Sequence, residues 1–135
     1  INGVNFKVFQ NAPKTMRDLF AAVELLQGDF PFISEDDKEL SFLEAMSKAK
    51  SICKFLKDEG IETNDRVGIC MQNCTEWAVI YLAIAGYGAT AVPFNSWWKT
   101  EELDYGIEHS EVKLIFVDTK RYELGEIFYI KVYRN

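Results

Sequence analysis

Two short apolar runs with a wholly apolar helix between them restrict this chain more than anything else in its sequence. Val67-Gly68-Ile69-Cys70-Met71 is a continuous run of strand length with no polar residue to mark a wet face. Thr75 then caps a helix over Glu76–Tyr87 that is apolar on nearly every side, and Ala89–Phe94 makes a second apolar strand. A strand without polar alternation has to be covered on both faces, and a helix apolar all round has to be buried. Strand–helix–strand units of this kind close as right-handed crossovers, which makes the strands parallel. Thr100 caps a further helix with Leu103 and Ile107 inward, and Lys113–Val117 supplies a third strand. The expected fold is α/β and three-layered, a mostly parallel sheet with helices on both faces.

The flanking segments fit around that unit without a linker or an internal repeat. Thr15, with Asp18 three residues on, caps an amphipathic helix whose stripe is Met16, Leu19, Phe20, Val23 and Leu26, and Gly28 stops it. Phe32-Ile33 reads as a short strand and Glu35-Asp36-Asp37 as an exposed, solvated turn, since no further oxygen ligands follow at cation-loop spacing. Ser41 and Glu44 form a capping box for a second helix that ends at Gly60. Phe42, Ala45, Met46, Ala49, Ile52, Cys53 and Leu56 give that helix a core-facing stripe. A short helix around Arg121–Glu126 precedes an apolar stretch, Ile127–Tyr133.

Charge and cysteine content remove several function classes. With 15 basic and 21 acidic residues among 135, the net charge is −6, so there is no basic face to neutralise nucleic-acid phosphates. No stretch approaches the ~18 uninterrupted apolar residues of a membrane span. Ile1-Asn2-Gly3 lacks an initiator Met and the layout of an export signal, which reads as the opening of a piece of a longer chain. Cys53, Cys70 and Cys74 are odd in number and sit among apolar neighbours, as expected of reduced thiols in the cytoplasm, where the triplet Asn73-Cys74-Thr75 stays unglycosylated.

Most motifs that could carry chemistry fail on context. Gly86-Tyr87-Gly88-Ala89-Thr90-Ala91 satisfies the dinucleotide-binding pattern, but a helix leads into it and a strand leads out, the reverse of the order a pyrophosphate site needs. These glycines read instead as a helix exit. The single histidine, His109, lies near the end of a polar helix between Glu108 and Glu111, which leaves no triad and no zinc set. One segment stands out. Pro93-Phe94-Asn95-Ser96-Trp97-Trp98 follows a buried strand at its carboxyl end, where parallel sheets place their ligand crevices. Asn95 offers donors and acceptors, and Phe94, Trp97 and Trp98 offer flat apolar surface to a ring or an acyl chain. The same tryptophans would equally serve to fill a gap against neighbouring structure.

An ordered series of short motifs now resembles a known family. Leu40-Ser41-Phe42-x-Glu44-Ala45, Gly60-Ile61 and Asp65-Arg66-Val67-Gly68-Ile69 resemble the opening of acyl-CoA synthetases of the adenylate-forming superfamily. Met71-x-Asn73-x-x-Glu76-Trp77, Gly88-Ala89-x-Ala91-Val92-Pro93-Phe94-Asn95 and Trp97-Trp98-x-x-Glu101-Glu102-Leu103-x-Tyr105 continue it. The resemblance runs from Pro13 to Arg121, and Asn-Ser-Trp-Trp looks most like bacterial long-chain fatty-acid–CoA ligases.

That resemblance implies an enzyme that adenylates a carboxylic acid with Mg²⁺ and ATP, releases pyrophosphate, and passes the acyl group to CoA. A carboxylate is a poor electrophile until its oxygen joins a leaving group, and electrostatic stabilisation of the phosphates makes this possible. The family supplies it from a Thr/Ser-Gly-rich, lysine-containing loop, a downstream aspartate and a lysine of a small C-terminal domain, none of which this sequence contains. Residues 1–135 are thus expected to be part of the large N-terminal domain, with no second domain, no turnover alone, and none of ATP, Mg²⁺ and CoA bound tightly by these residues alone. The implied parent is cytoplasmic, with a possible peripheral association with membrane. Phe94 and Asn95 match the side where the nucleotide end of CoA docks, with Trp97 and Trp98 toward the acid substrate. The pair Lys120-Arg121 falls near where some members hold the CoA 3′-phosphate, to which a guanidinium is suited. An exposed arginine at a helix start is the plainer reading of the same residue. The rival for the whole chain is a free-standing, non-catalytic binding module derived from such an enzyme.

Overall fold

The computed structural model describes residues 3, 5, 7–123 and 131–134. Helix α1 (Met16–Gln27) leads to an antiparallel hairpin of β1 (Pro31–Glu35) and β2 (Lys38–Ser41), then to helix α2 (Phe42–Asp58). Strand β3 (Arg66–Cys70), helix α3 (Thr75–Tyr87), strand β4 (Thr90–Pro93), helix α4 (Thr100–Ser110) and strand β5 (Leu114–Val117) follow. Helix α5 (Thr119–Glu123) and strand β6 (Lys131–Arg134) close the described chain. The second sheet has the order β4-β3-β5-β6 and every pairing in it is parallel. The expected strand over Ile127–Tyr133 and the end of the expected helix at Glu126 lie partly outside the described residues.

Period-two alternation sends the sheet's side chains to two separate cores. Val67, Ile69, Leu114 and Phe116 face α2 and α3, where they meet Leu56, Ile80 and Ile84. Cys70, Ile115 and Val117 face the other way, against Phe94, Leu103 and Val112. Helix α3 is sandwiched, with Ile80 and Ile84 on the sheet and Val79, Leu82 and Ala83 against Ala45, Met46 and Ala49 of α2. Its all-round apolarity follows from having a partner on both sides. Gly88 ends α3 with φ +97°, a left-handed conformation natural to glycine, so the Gly86–Gly88 segment is a helix exit. Arg17 of α1 donates to the carbonyls of Gly86 and Tyr87, placing a cation on the same helix terminus.

Three local expectations are corrected. Cys74 and Lys99 are the residues before α3 and α4 in extended conformation, so Thr75 and Thr100 are first helical residues and not caps. Glu35 is not part of a solvated turn: it ends β1, and its carboxylate accepts the Thr75 backbone N–H at 2.7 Å and the Thr75 hydroxyl at 2.6 Å. The hairpin therefore supplies the cap that the local sequence of α3 lacks. In α1 only part of the stripe is covered; Phe20 packs on the α2–α3 core while Met16, Leu19 and Leu26 are exposed.

The Thr75 bonds hold the Glu35 carboxyl below the usual carboxylate range. A lowered folded-state pKa stabilises when the group is ionised and is lost as pH falls through that value. Glu35→Ala should therefore lower the melting temperature at pH 7, and the gap to wild type should close between pH 5 and pH 2. Melting curves followed by circular dichroism across that range test it; a gap unchanged at acid pH would remove the carboxylate from the cap.

Candidate functional site

The order β4-β3-β5 means that the chain leaves β3 toward one edge and returns across it to β5. Its two crossovers cover opposite faces, α3 on one and α4 on the other. Such a reversal opens a crevice at the carboxyl ends of the two central strands. Asp65 and Arg66 lie at the other, amino-terminal end of these strands, where Asp65 pairs with Lys113 at 2.7 Å and Arg66 binds the Ser110 carbonyl and the Glu111 carboxylate. Their part is architectural.

The segment after β4 is tied to the crevice by backbone bonds. Phe94 donates its N–H to the Ile69 carbonyl at 2.9 Å, and its ring is buried over Gly68, next to Gly106 of α4. The Asn95 side-chain oxygen accepts the Trp97 N–H at 2.9 Å and the Asn95 carbonyl accepts the Trp98 N–H at 3.1 Å, closing a local turn. Asn95 itself is exposed. Trp98 packs half-buried against Phe94, with ring centroids 6.3 Å apart, whereas Trp97 stands 78% exposed. The two tryptophans divide the functions the sequence left open: Trp98 fills space and Trp97 presents a flat face to solvent.

Under this turn lies Arg121, only 8% exposed. The plain reading of an exposed helix-start arginine is wrong, because α5 turns its first-turn side chain inward beneath Trp98. Arg121 Nη1 donates to the Trp98 carbonyl at 3.4 Å, and its buried Nε has no partner among the described residues. Nor, among the described residues, does a carboxylate form an ion pair with the guanidinium. A buried charge without a counter-ion is costly. Asp118, a residue the sequence reading missed, holds the turn together. One carboxylate oxygen accepts the Arg121 N–H at 2.8 Å and the other accepts the Gln72 N–H at 3.1 Å. An aspartate directly after a strand and three residues before a helical N–H was the available signal.

The other titratable groups offer little chemistry. Burial pushes the Cys70 thiol up to about 11 despite the nearby Arg121 cation, and burial likewise raises Cys53 and Cys74. All three are free thiols that stay protonated at neutral pH. His109 stacks on Tyr105 at 5.5 Å along α4, one turn apart on the helix surface. A separate cavity of about 490 Å³ lies on the α2–α3 side, lined by Ile52, Phe55, Met71, Val79 and Phe116 with Lys38 and Lys48 among its polar residues. None of Phe94, Asn95, Trp97, Trp98 and Arg121 lines it.

Known proteins share this fold. The chain is 42% identical over 65 residues to the acyl-CoA ligase sidI of Beauveria bassiana, covering 48% of this chain and 11% of that protein. It is 26% identical over 102 residues to a long-chain-fatty-acid–CoA ligase of Bacillus subtilis, covering 76% of this chain and 18% of that protein. The fold superposes on the anthranilate CoA ligase AuaEII, solved with anthranoyl-AMP, with a TM-score of 0.83 at 19% identity. That match covers 92% of this chain and 26% of the ligase. The chain thus spans about a tenth to a quarter of the length of these proteins. Residues 16–129 match the model of the AMP-binding enzymes, and the chain belongs to that family.

Proposed function

We propose that this chain is the CoA-facing part of an ATP-dependent acid–CoA ligase whose acid substrate is a fatty acid. In that reaction a carboxylate oxygen attacks the α-phosphorus of ATP and pyrophosphate leaves. The CoA thiolate then attacks the acyl carbon and AMP leaves with the bonding pair. Mg²⁺ would lend charge neutralisation at the phosphates. No Thr/Ser-Gly-rich lysine loop occurs in these 135 residues, so the chain alone is expected to release no pyrophosphate from ATP and acid. The fatty-acid class is supported by the Asn95-Ser96-Trp97-Trp98 segment and by the similarity to the Bacillus subtilis ligase.

The observation that carries the CoA assignment is the buried Arg121 beneath the loop after β4, whose guanidinium has no carboxylate partner among the described residues. In this reading Arg121 meets the 3′-phosphate of CoA and Asn95 lines the path of its nucleotide end. Phe94, being buried, acts by seating the loop. Trp97 and Trp98 lie toward the acid.

CoA and dephospho-CoA differ only in that phosphate, so they isolate the assignment. By chemical-shift titration of the chain, CoA should bind about 10-fold more tightly than dephospho-CoA, the size of one charge-assisted hydrogen bond. Arg121→Gln should abolish the difference. Equal affinities in the wild type would refute the assignment and leave a module that binds neither nucleotide by its phosphate.

A further inference from the structure

We propose that Asp118 is a positioning residue for anion recognition at Arg121, one that aims the guanidinium without neutralising it; this rests on the CoA-side assignment above. Asp118 follows β5 directly, and its two carboxylate oxygens bind backbone N–H groups of two different elements. Gln72 lies just beyond β3 and Arg121 lies in α5, so one side chain ties together the exits of the two central strands, where the chain reverses direction. The Asp118 carbonyl adds a third bond, from the Tyr122 N–H at 3.0 Å. The five-residue helix α5 thus has its first turn fixed to the sheet through a residue 46 positions from Gln72.

A carboxylate near a buried arginine ordinarily pairs with it. Here both oxygens are engaged by backbone donors and no Asp118–Arg121 ion pair forms among the described residues. Both groups nonetheless act on the same buried thiol, since Arg121 lowers and Asp118 raises the pKa of Cys70. Asp118 thus acts on the Arg121 backbone, whose N–H it holds at 2.8 Å, and its carboxylate is occupied by backbone donors. The positive charge is left for a ligand, and the Trp98 carbonyl fixes one edge of its fork.

Charge and position give opposite signs, which makes the role testable. Removing a negative charge beside a phosphate site would by itself tighten phosphate binding. Losing the strand-to-strand tie would misplace Arg121 and weaken it. In Asp118→Asn the amide can accept from only one of the two N–H groups. In Asp118→Ser the hydroxyl can still accept from Arg121 but is too short to reach Gln72.

The experiment measures the ratio of dephospho-CoA to CoA dissociation constants for wild type, D118N, D118S, Arg121→Gln and Glu35→Ala, with melting temperature alongside. The expected ratios are about 10 for wild type and about 1 to 2 for D118N, D118S and Arg121→Gln. Glu35→Ala removes a comparable carboxylate cap whose bonds go to Thr75 of α3 and not to α5, and its ratio should stay near that of the wild type. A D118N or D118S ratio at or above the wild-type value overturns the positioning role and leaves the CoA assignment standing. A ratio near 1 in the wild type removes both together. If D118N does not fold, D118S decides the matter, because it keeps the cap on α5 and loses only the tie to Gln72.

Discussion

Gly68→Ala is expected to lower the melting temperature by about 10 °C. An added Cβ at Gly68 would stand 2.7 Å from Phe94 Cε2, 2.9 Å from Ile115 Cγ1 and 3.3 Å from Ile115 Cβ. Contacts under 3.0 Å force something to move, and neither neighbour has room. Phe94 is 6% exposed and Ile115 is fully buried on the adjacent strand β5. Overpacking of this kind costs about 1–3 kcal/mol, and a site closed on two sides belongs at the upper end. For a chain of this length each kcal/mol moves the melting temperature by roughly 3–5 °C. Gly106→Ala is the informative comparison. Its Cβ would meet Trp98 Cζ3 at 2.7 Å and Phe94 Cε1 at 3.2 Å, but Trp98 is half-buried and its ring can swing outward. Alanine also returns up to about 1 kcal/mol of helix propensity in α4. G106A should therefore melt within roughly 3 °C of wild type, with altered tryptophan fluorescence. A G68A melting point within 2 °C of wild type would mean that Phe94 moves freely and that the loop after β4 is not anchored by it.

What the sequence revealed and what it hid divide along the range of the interactions involved. The strands β3 and β5 were legible because each is a continuous apolar run, and a buried parallel strand leaves that mark on its own residues. Helix α3 was legible as buried from its composition, and the Gly88 exit from the order of elements around it. The capping of α3 was not. A threonine before a helical run looks like a cap, yet the acceptor comes from Glu35, 40 residues earlier, and no local pattern encodes that. Arg121 shows the same limit. Lys120-Arg121 at a helix start looks like solvated charge, and only the placement of the Trp98 carbonyl above α5 makes the guanidinium interior. Asn95 is the intermediate case. Its position after a sheet strand marked the crevice, while its side-chain oxygen serves its own turn, so it presents less free acceptor capacity than its chemistry suggested. In α1 the apolar stripe promised more contact than α2 and α3 provide, since periodicity specifies a face but not how much of it is met.

Arg121→Met should raise the melting temperature and abolish the preference for CoA over dephospho-CoA in the same variant. Arg121 is 8% exposed, and among the described residues its Nε has no partner and no carboxylate neutralises its guanidinium. Methionine keeps much of the length of the buried stem and removes the charge. Replacing imperfectly compensated buried charge with an apolar side chain of similar reach is often stabilising, by about 1–4 kcal/mol. Against this stands one long hydrogen bond to the Trp98 carbonyl, about 0.5–1.5 kcal/mol, which the variant loses. The balance favours stabilisation by about 1–2 kcal/mol, or roughly 3–10 °C. The Cys70 thiol gives a second readout. Arg121 is the influence that lowers its pKa against burial, so R121M should push it above its present value of about 11 and slow alkylation further. A residue kept for folding would show the reverse, with a lower melting point and an unchanged ligand ratio. Stability gained together with recognition lost is the mark of a charge held in the fold for a ligand, since a ligand anion repays a desolvation cost that the chain by itself leaves uncompensated.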